Sequence, residues 1–184
     1  MLRCPKVQIV TVGRQRVPLP IEMYRLHIWP NGHHNHVSYG AVMMDFWRKS
    51  PDWHGMIWLE GDIAITPEHL SEMMPEIECY PDFVVTVPYL LYPRTTNREV
   101  PMWSVQGRTP TGQAVPYRYD EIHPREPAFF SLGCTYLPRK LLDLVDLTRG
   151  NWDYPCLDTR LSELAREHDI ICISTDTPCL HLNY

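Results

Sequence analysis

The chain has 184 residues, of which 44% are hydrophobic and 21% are charged, and its formal net charge is −5. This composition predicts one folded domain with a real core and argues against disorder. The acidic balance and the lack of a basic run argue against a nucleic-acid backbone as the main partner, and no apolar stretch approaches a membrane span in length.

The first half of the chain predicts two strands, a helix and a third strand. Val7–Val12 is a β-branched run that predicts a first strand, and Tyr24–Trp29 predicts a second. Apolar residues at helical spacing in Val37–Lys49 predict an amphipathic helix. The short apolar run that opens Met56–Ile65 (MIWLEGDIAI) predicts a buried strand.

An acidic triplet, Glu60-Gly61-Asp62, ends this third strand. An open α/β sheet places its ligands at the carboxyl ends of its strands, and unpaired carboxylates are too costly for a core. Residues two apart on an extended chain point to the same side, and Gly61 lets a ligand approach the backbone. The triplet therefore predicts a site for a hard cation that bridges two phosphates. A hairpin turn is the structural alternative, because Gly-Asp is ordinary turn chemistry.

The rest of the chain continues the alternation of helices and strands. In chain order the sequence predicts a helix from Pro67 to Met74 with Thr66 as its N-cap, a strand at Phe83–Val87, and a proline-rich loop region at 88–127 with one or two short strands around 101–106 and 115–119. It then predicts a strand or turn at Ala128–Leu137, a helix from Pro138 to Leu147, a helix at Leu157–His168, and a last strand at Ile170–Ser174. Together these elements predict an α/β fold, a single domain with a mainly parallel central sheet flanked by helices. We expect the proline-rich region to lie over the cleft, since long irregular segments are usually binding loops.

The order of these motifs resembles that of glycosyltransferases with the GT-A, Rossmann-like fold. The acidic triplet matches the family's D-x-D position, with Glu60 in place of the first Asp. Phe129–Leu137, with its central Gly133, resembles the family's acceptor-side segment. Cys156–Leu161 resembles the segment that carries the base, although no Glu precedes Asp158, and His181 resembles the family's C-terminal metal-binding histidine.

The resemblance implies a metal-dependent, inverting glycosyltransferase that moves a sugar from a nucleotide-diphosphate donor to a hydroxyl acceptor. It implies one such domain over residues 1–184, with a nucleotide-sugar and metal half at 1–87 and an acceptor half at 88–184. Asp62 and His181 would hold Mn²⁺ or Mg²⁺, and Asp158 would act as general base, with Asp153 as the alternative base.

Further donor or substrate contacts are expected at the end of the first strand, before the first helix, at the triplet and in the second half. These residues are Thr11, Val12, Arg14, Asn35, Tyr39, Glu60, Gly61, Asp62, Gly133 and Trp152. Structural alternatives stay open for several of them. Arg14 reads equally as a solvated loop residue, Trp152 as core, His181 as a surface residue near a frayed end, and Asp158 as a carboxylate favoured at a helix N-terminus.

Two other functions compete with the glycosyltransferase. A sugar nucleotidyltransferase shares the acidic strand end, but it usually has a Gly-rich loop and a lysine after the first strand, where this chain has VGRQRVPLP. A non-catalytic nucleotide- or sugar-binding module would explain Glu60 in the first acidic position. The acceptor stays open between a protein, a small molecule and modified DNA such as that of a phage. The six cysteines form no C-x-x-C pair and no signal peptide is evident, so we expect a cytoplasmic protein without a membrane partner.

Overall fold

A six-stranded mixed sheet forms the centre of the fold in the computed structural model, which describes residues 7–12, 26–29, 39–49, 51–92, 100–152 and 157–182. Its strands lie in the order β10-β5-β9-β3-β1-β2, and smaller sheets join β4 with β11 and β6 with β7 and β8. The strands are β1 (Val7–Val12), β2 (Leu26–Trp29), β3 (Gly55–Glu60), β4 (Ile63–Ala64), β5 (Val84–Thr86), β6 (Leu90–Leu91), β7 (Met102–Arg108), β8 (Ala114–Arg118), β9 (Cys134–Pro138), β10 (Cys172–Ser174) and β11 (Leu180–His181).

The predicted fold class, a GT-A, Rossmann-like domain with a mainly parallel central sheet flanked by helices, is wrong. In the six-stranded sheet β9 runs antiparallel to both of its neighbours, β3 and β5. The two smaller sheets contain only antiparallel pairs. The error has a physical cause, because a fully buried strand is apolar along its whole length whichever way it runs, so its composition does not reveal its direction. The chain is a mixed α/β protein.

Four helices accompany the sheets in the described residues: α1 (Tyr39–Arg48), α2 (Pro67–Cys79), α3 (Arg139–Leu142) and α4 (Leu157–Glu167). The predicted N-cap of α2 is confirmed, since Thr66 has extended backbone angles and its N–H donates to Nδ1 of His69 at 2.8 Å. The predicted end of α2 at Met74 is wrong, because the helix continues through Pro75. The helix predicted to start at Pro138 is shorter than expected. None of the described helices has the length and apolar character that a bilayer span requires.

Strand β3 divides the core into two clusters, because its side chains alternate between the two faces of the sheet. Met56 and Trp58 pack in the cluster that contains residues of α1 and α4. Ile57 and Leu59 pack in the cluster that contains the buried face of α2. Both predicted halves of the chain contribute to this core, since β9 and β10 come from the second half and complete the sheet that β1, β2, β3 and β5 begin.

The proline-rich segment contains three strands in its described residues, 88–92 and 100–127, where the sequence predicted one or two. It supplies β6, β7 and β8, which form a three-stranded antiparallel sheet. The backbone N–H of Gln106 donates to the carbonyl of Phe129 at 3.0 Å, and the N–H of Phe129 donates back at 3.1 Å. These bonds fasten the three-stranded sheet to the segment that leads into β9. Backbone hydrogen bonds thus attach the three-stranded sheet to the chain beside the larger sheet.

Gly55 provides a test of the contact between β3 and β9. A Cβ at this position would lie 2.5 Å from the backbone oxygen of Leu137 and 2.5 Å from the ring of Tyr136. We expect Gly55→Ala to lower the free energy of unfolding by about 1–3 kcal/mol, the usual cost of overpacking a core. Urea denaturation measures this loss. Gly107→Ala is the comparison, because its nearest neighbour is the hydroxyl end of Tyr117 at 2.7 Å, on the outer strand β8. An equal loss of unfolding free energy in both variants would contradict a specially close contact between β3 and β9 at Gly55.

Candidate functional site

The pairing of β4 with β11 brings Asp62 and His181 together across 119 positions of the chain. Ile63 lies opposite His181 in this antiparallel pair, and the backbone N–H of Leu182 donates to the carbonyl of Asp62 at 2.7 Å. Nε2 of His181 lies 3.1 Å from Oδ2 of Asp62. The carboxylate is 31% exposed and the imidazole 12% exposed. The pair is therefore partly exposed at the surface, with the histidine more deeply buried than the aspartate.

The backbone at the acidic triplet turns instead of continuing as one strand. Strand β3 ends at Glu60, Gly61 and Asp62 form a turn, and β4 begins at Ile63. A turn was the structural alternative, but it is not the hairpin turn expected there, because β4 pairs with β11 and not with β3. The turn leaves the carboxylates at a common site, because β4 follows it at once and pairs with β11, the strand that contains His181.

Glu60 has a strongly raised pKa. The pKa of Glu60 is raised to about 7, mainly by burial and further by the negative charges of Asp62 and Asp158, while His181 lowers it in part. The four side chains are therefore close enough to form one electrostatic cluster. The described residues place three carboxylates against one imidazole here, so the cluster favours a bound cation or proton.

Asp158 joins this cluster from the first turn of α4 and also lines a cavity of about 300 Å³. Burial raises the pKa of its carboxyl, while hydrogen bonds from Thr159 and from its own backbone offset part of the shift. The N–H of Thr159 donates to Oδ1 of Asp158 at 2.7 Å. Asp158 therefore makes a local contact at the start of the helix, and it also remains a candidate base. The cavity is lined by Leu91, Ser104, Gln106, Ala114, Phe129, Phe130, Ser131, Asp158, Thr159 and Glu163.

Tyr89 connects the Asp62–His181 pair to the cavity, and sequence reasoning missed it. Its ring stacks on the imidazole of His181 with centroids 5.3 Å apart and planes 25° apart. Its hydroxyl donates to Oγ of Ser131 at 3.0 Å, and Ser131 lines the cavity. Tyr89 belongs to the short apolar stretch before β6, where no periodicity or motif distinguishes a site residue from core.

Gly133 and Trp152 have clear packing roles. A Cβ on Gly133 would lie 2.4 Å from the ring of Tyr89, so this glycine allows Tyr89 to reach its position. The carbonyl of Gly133 also accepts a hydrogen bond of 2.8 Å from the N–H of Glu60. Trp152 is 6% exposed in the core, and its indole N–H donates to the carbonyls of Asp146 and Arg149. Trp152 is therefore part of the core, which is the structural alternative given for it.

Half of the remaining predicted residues lie outside the described part of the chain. Arg14, Asn35 and the alternative base Asp153 fall there. The backbone of Thr11 and Val12 ends β1, and Val12 pairs with Glu60, so the end of β1 is adjacent to the acidic triplet. Tyr39 begins α1. The contacts of all these residues with a donor stay predictions.

The donor atoms of the Asp62–His181 pair suit a divalent cation. Two ligands at right angles on an octahedral ion, each about 2.1 Å from it, lie about 3 Å apart, which is close to the observed separation of 3.1 Å. No group of three or more His, Cys, Asp or Glu side chains in the described part of the chain is arranged to hold a metal. The residues therefore fit an ion that takes its other ligands from water and substrate phosphates, as Mg²⁺ commonly does.

Comparison with known proteins defines the fold. No protein-family model and no curated protein sequence matches the chain. Among solved structures, the chain is similar to A197 from STIV, with a TM-score of 0.54 and 18% sequence identity over 92% of this chain and 82% of that one. At this identity the similarity shows a common overall fold.

The raised pKa of Glu60 predicts a pH-dependent stability. The folded chain holds this proton more tightly than the unfolded chain, so its stabilising effect is complete below about pH 4.5 and is lost as the pH rises to about 7. The loss attributable to Glu60 should be on the order of 2–3 kcal/mol. Urea denaturation in chelator at several pH values should show this loss in the wild type and a much smaller one in Glu60→Gln.

The control for this experiment is Glu126→Gln, which removes an exposed carboxylate. Its pH dependence should match that of the wild type. If Glu60→Gln also retained the full pH dependence, the raised pKa of Glu60 would be contradicted.

Proposed function

We propose that this protein is a divalent-cation-dependent glycosyltransferase that moves a sugar from a nucleotide-diphosphate donor to a hydroxyl acceptor. The observation that carries the proposal is the Asp62–His181 pair, which shares one electrostatic cluster with Asp158. A diphosphate donor needs compensation of its negative charge, and an acceptor hydroxyl needs a base. The cluster contains candidates for both functions beside a cavity that a small substrate group can enter.

Asp62 and His181 are the residues that would hold Mn²⁺ or Mg²⁺. When bound there, the cation would neutralise negative charge on the leaving nucleoside diphosphate. The turn that carries Asp62 and the β4–β11 pair that carries His181 fix the two side chains relative to each other. Tyr89 restricts the imidazole further by stacking on it. The chain thus supplies a largely preformed pair of ligands, and such preorganisation reduces the cost of binding.

Asp158 is the candidate general base, because its carboxylate lines the cavity and reaches the electrostatic cluster. Burial raises the pKa of Asp158, and a carboxylate with a raised pKa takes a proton from a hydroxyl more readily. With one base on the acceptor side, direct attack on the sugar inverts its configuration. Glu60 is the competing base within the same cluster, since its pKa lies near neutrality.

Cation dependence is the first prediction of the proposal. Mn²⁺ together with a nucleotide-diphosphate sugar should raise the melting temperature, and EDTA should abolish this effect. Asp62→Asn should weaken Mn²⁺ binding by at least about 10-fold, because even the loss of an outer-shell partner of a metal ligand commonly costs about 10- to 100-fold. Binding can be followed by the electron paramagnetic resonance signal of free Mn²⁺.

Asp52→Asn is the matched control, because Asp52 is an exposed carboxylate in the turn before β3. It should bind Mn²⁺ like the wild type. Sugar transfer that continues at full rate in excess chelator would refute the cation-dependent proposal. Donor binding without any hydrolysis or transfer, across a panel of acceptors, would instead favour the non-catalytic module.

The assignment of the base gives a second prediction. Asp158→Asn should lower turnover by about 100-fold or more while donor affinity changes little, since the carboxylate acts on the acceptor. Single-turnover kinetics and donor titration separate the two quantities. Glu167→Gln, an exposed change at the other end of α4, should leave both unchanged. If Asp158→Asn kept normal turnover and Glu60→Gln or Asp153→Asn did not, the base would be one of those residues.

A further inference from the structure

Arg108, the last residue of β7, neighbours three residues that line the cavity. Gln106, two positions earlier on the same strand, lines the cavity, and residues two apart on a strand share a face. Ala114, which lies directly opposite Arg108 on β8, also lines the cavity. The guanidinium carbon of Arg108 lies 5.2 Å from the ring centroid of Phe129, a third lining residue. These three neighbours place Arg108 beside the cavity.

The charge of Arg108 lacks an anionic partner among the described residues. Its Nε–H is buried and donates to no hydrogen-bond acceptor among those residues. The two other described arginines that are at least partly buried, Arg139 and Arg160, stack on tryptophan rings and also pair with Asp143 and Glu163, respectively. Arg108 has only the aromatic contact, and a cation–π contact offsets little of the cost of removing a charge from water. A partly buried, uncompensated guanidinium is typical of a site that awaits an anion.

The carboxylates of the cavity do not neutralise this charge. Glu163 is already paired with Arg160, with 2.9 Å between its Oε2 and Nη1. Asp158 accepts a hydrogen bond from the backbone of Thr159 and belongs to the cluster around Glu60. A ligand that brings its own negative charge to Arg108 and offers a hydroxyl to Asp158 would satisfy both groups.

We propose that the acceptor is a small hydroxyl compound that carries a phosphate or carboxylate group, and that Arg108 binds this group. The identification of the ligand as an acceptor rests on the proposed function, whereas the anion site itself is inferred from the contacts of Arg108. A cavity of about 300 Å³ admits a small molecule or one protruding group, which is the lower end of the usual size of ligand sites. Phe129 and Phe130 supply apolar wall for the body of the ligand.

Three probes of similar size test the site: glycerol, glycerate and glycerol 3-phosphate. Binding is measured by calorimetry and thermal shift in EDTA and without any nucleotide sugar, so the result does not depend on the transferase proposal. We expect at least one of the two anions to bind at least 10-fold more tightly than glycerol. A preference for glycerol 3-phosphate identifies a phosphorylated acceptor, and a preference for glycerate identifies a carboxylate.

Arg108→Met keeps an unbranched side chain beside Phe129 and removes the charge. It should weaken anion binding at least 10-fold, and its melting temperature without ligand should equal or exceed that of the wild type, because an uncompensated charge is gone. Arg108→Lys keeps the charge without the planar fork and should bind with intermediate affinity. The control Arg118→Met alters an exposed arginine of β8 that pairs with Asp120, and it should bind like the wild type.

Three results would overturn the proposal. They are equal binding of glycerol and both anions, unchanged anion binding by Arg108→Met, and a large drop in the melting temperature of ligand-free Arg108→Met, which would make the arginine structural. Anion binding without sugar transfer would leave this site standing and count against the transferase. Sugar transfer without anion binding would do the reverse.

Discussion

The candidate site depends on a single short interaction, the antiparallel pairing of β4 with β11. Each strand has only two residues, yet their hydrogen bonds join the turn after β3 to a segment more than a hundred positions further along the chain. Without this pairing Asp62 would be one exposed carboxylate in a turn, and His181 one histidine among nine. The larger sheet supports the arrangement because β3, between β1 and β9, holds the turn in place.

Electrostatic frustration explains why the neighbourhood of this pairing suits chemistry better than stability. The negative charges of Asp62 and Asp158 act against a charged Glu60 in a partly buried setting, and His181 is the described group that opposes them there. Beside the cavity, Arg108 remains without an anion among the described residues. A chain selected for stability alone would pair or remove these charges. The surrounding core is well packed, with Trp58, Tyr136 and Ile63 almost fully buried, and so it tolerates the local cost.

The sequence was sufficient where local chemistry determines the structure. Thr66 and Pro67 predicted the start of α2, and the β-branched run predicted β1. The acidic triplet and His181 were singled out separately, and the structure places them side by side. The predicted strand direction was wrong because apolar composition is the same for either orientation of β9. The predicted end of α2 was wrong because the burial of Ile77 stabilises the helix beyond Pro75, so that packing overrides the proline. Tyr89 and Arg108 gave no signal, because their importance lies in partners that are distant in sequence.

The distance in sequence between β3 and β11 also has a kinetic consequence. Strand β3 pairs with β1 and β9, and the sheet is complete only when β10 joins β5, so most strand contacts close long loops. Such topologies fold slowly, because the chain loses entropy before distant contacts compensate for it. His181 follows all of these strands, so a chain with a finished sheet can still lack the Asp62–His181 contact. Formation of that contact would then be a late event, and the site itself would report that folding has reached its end.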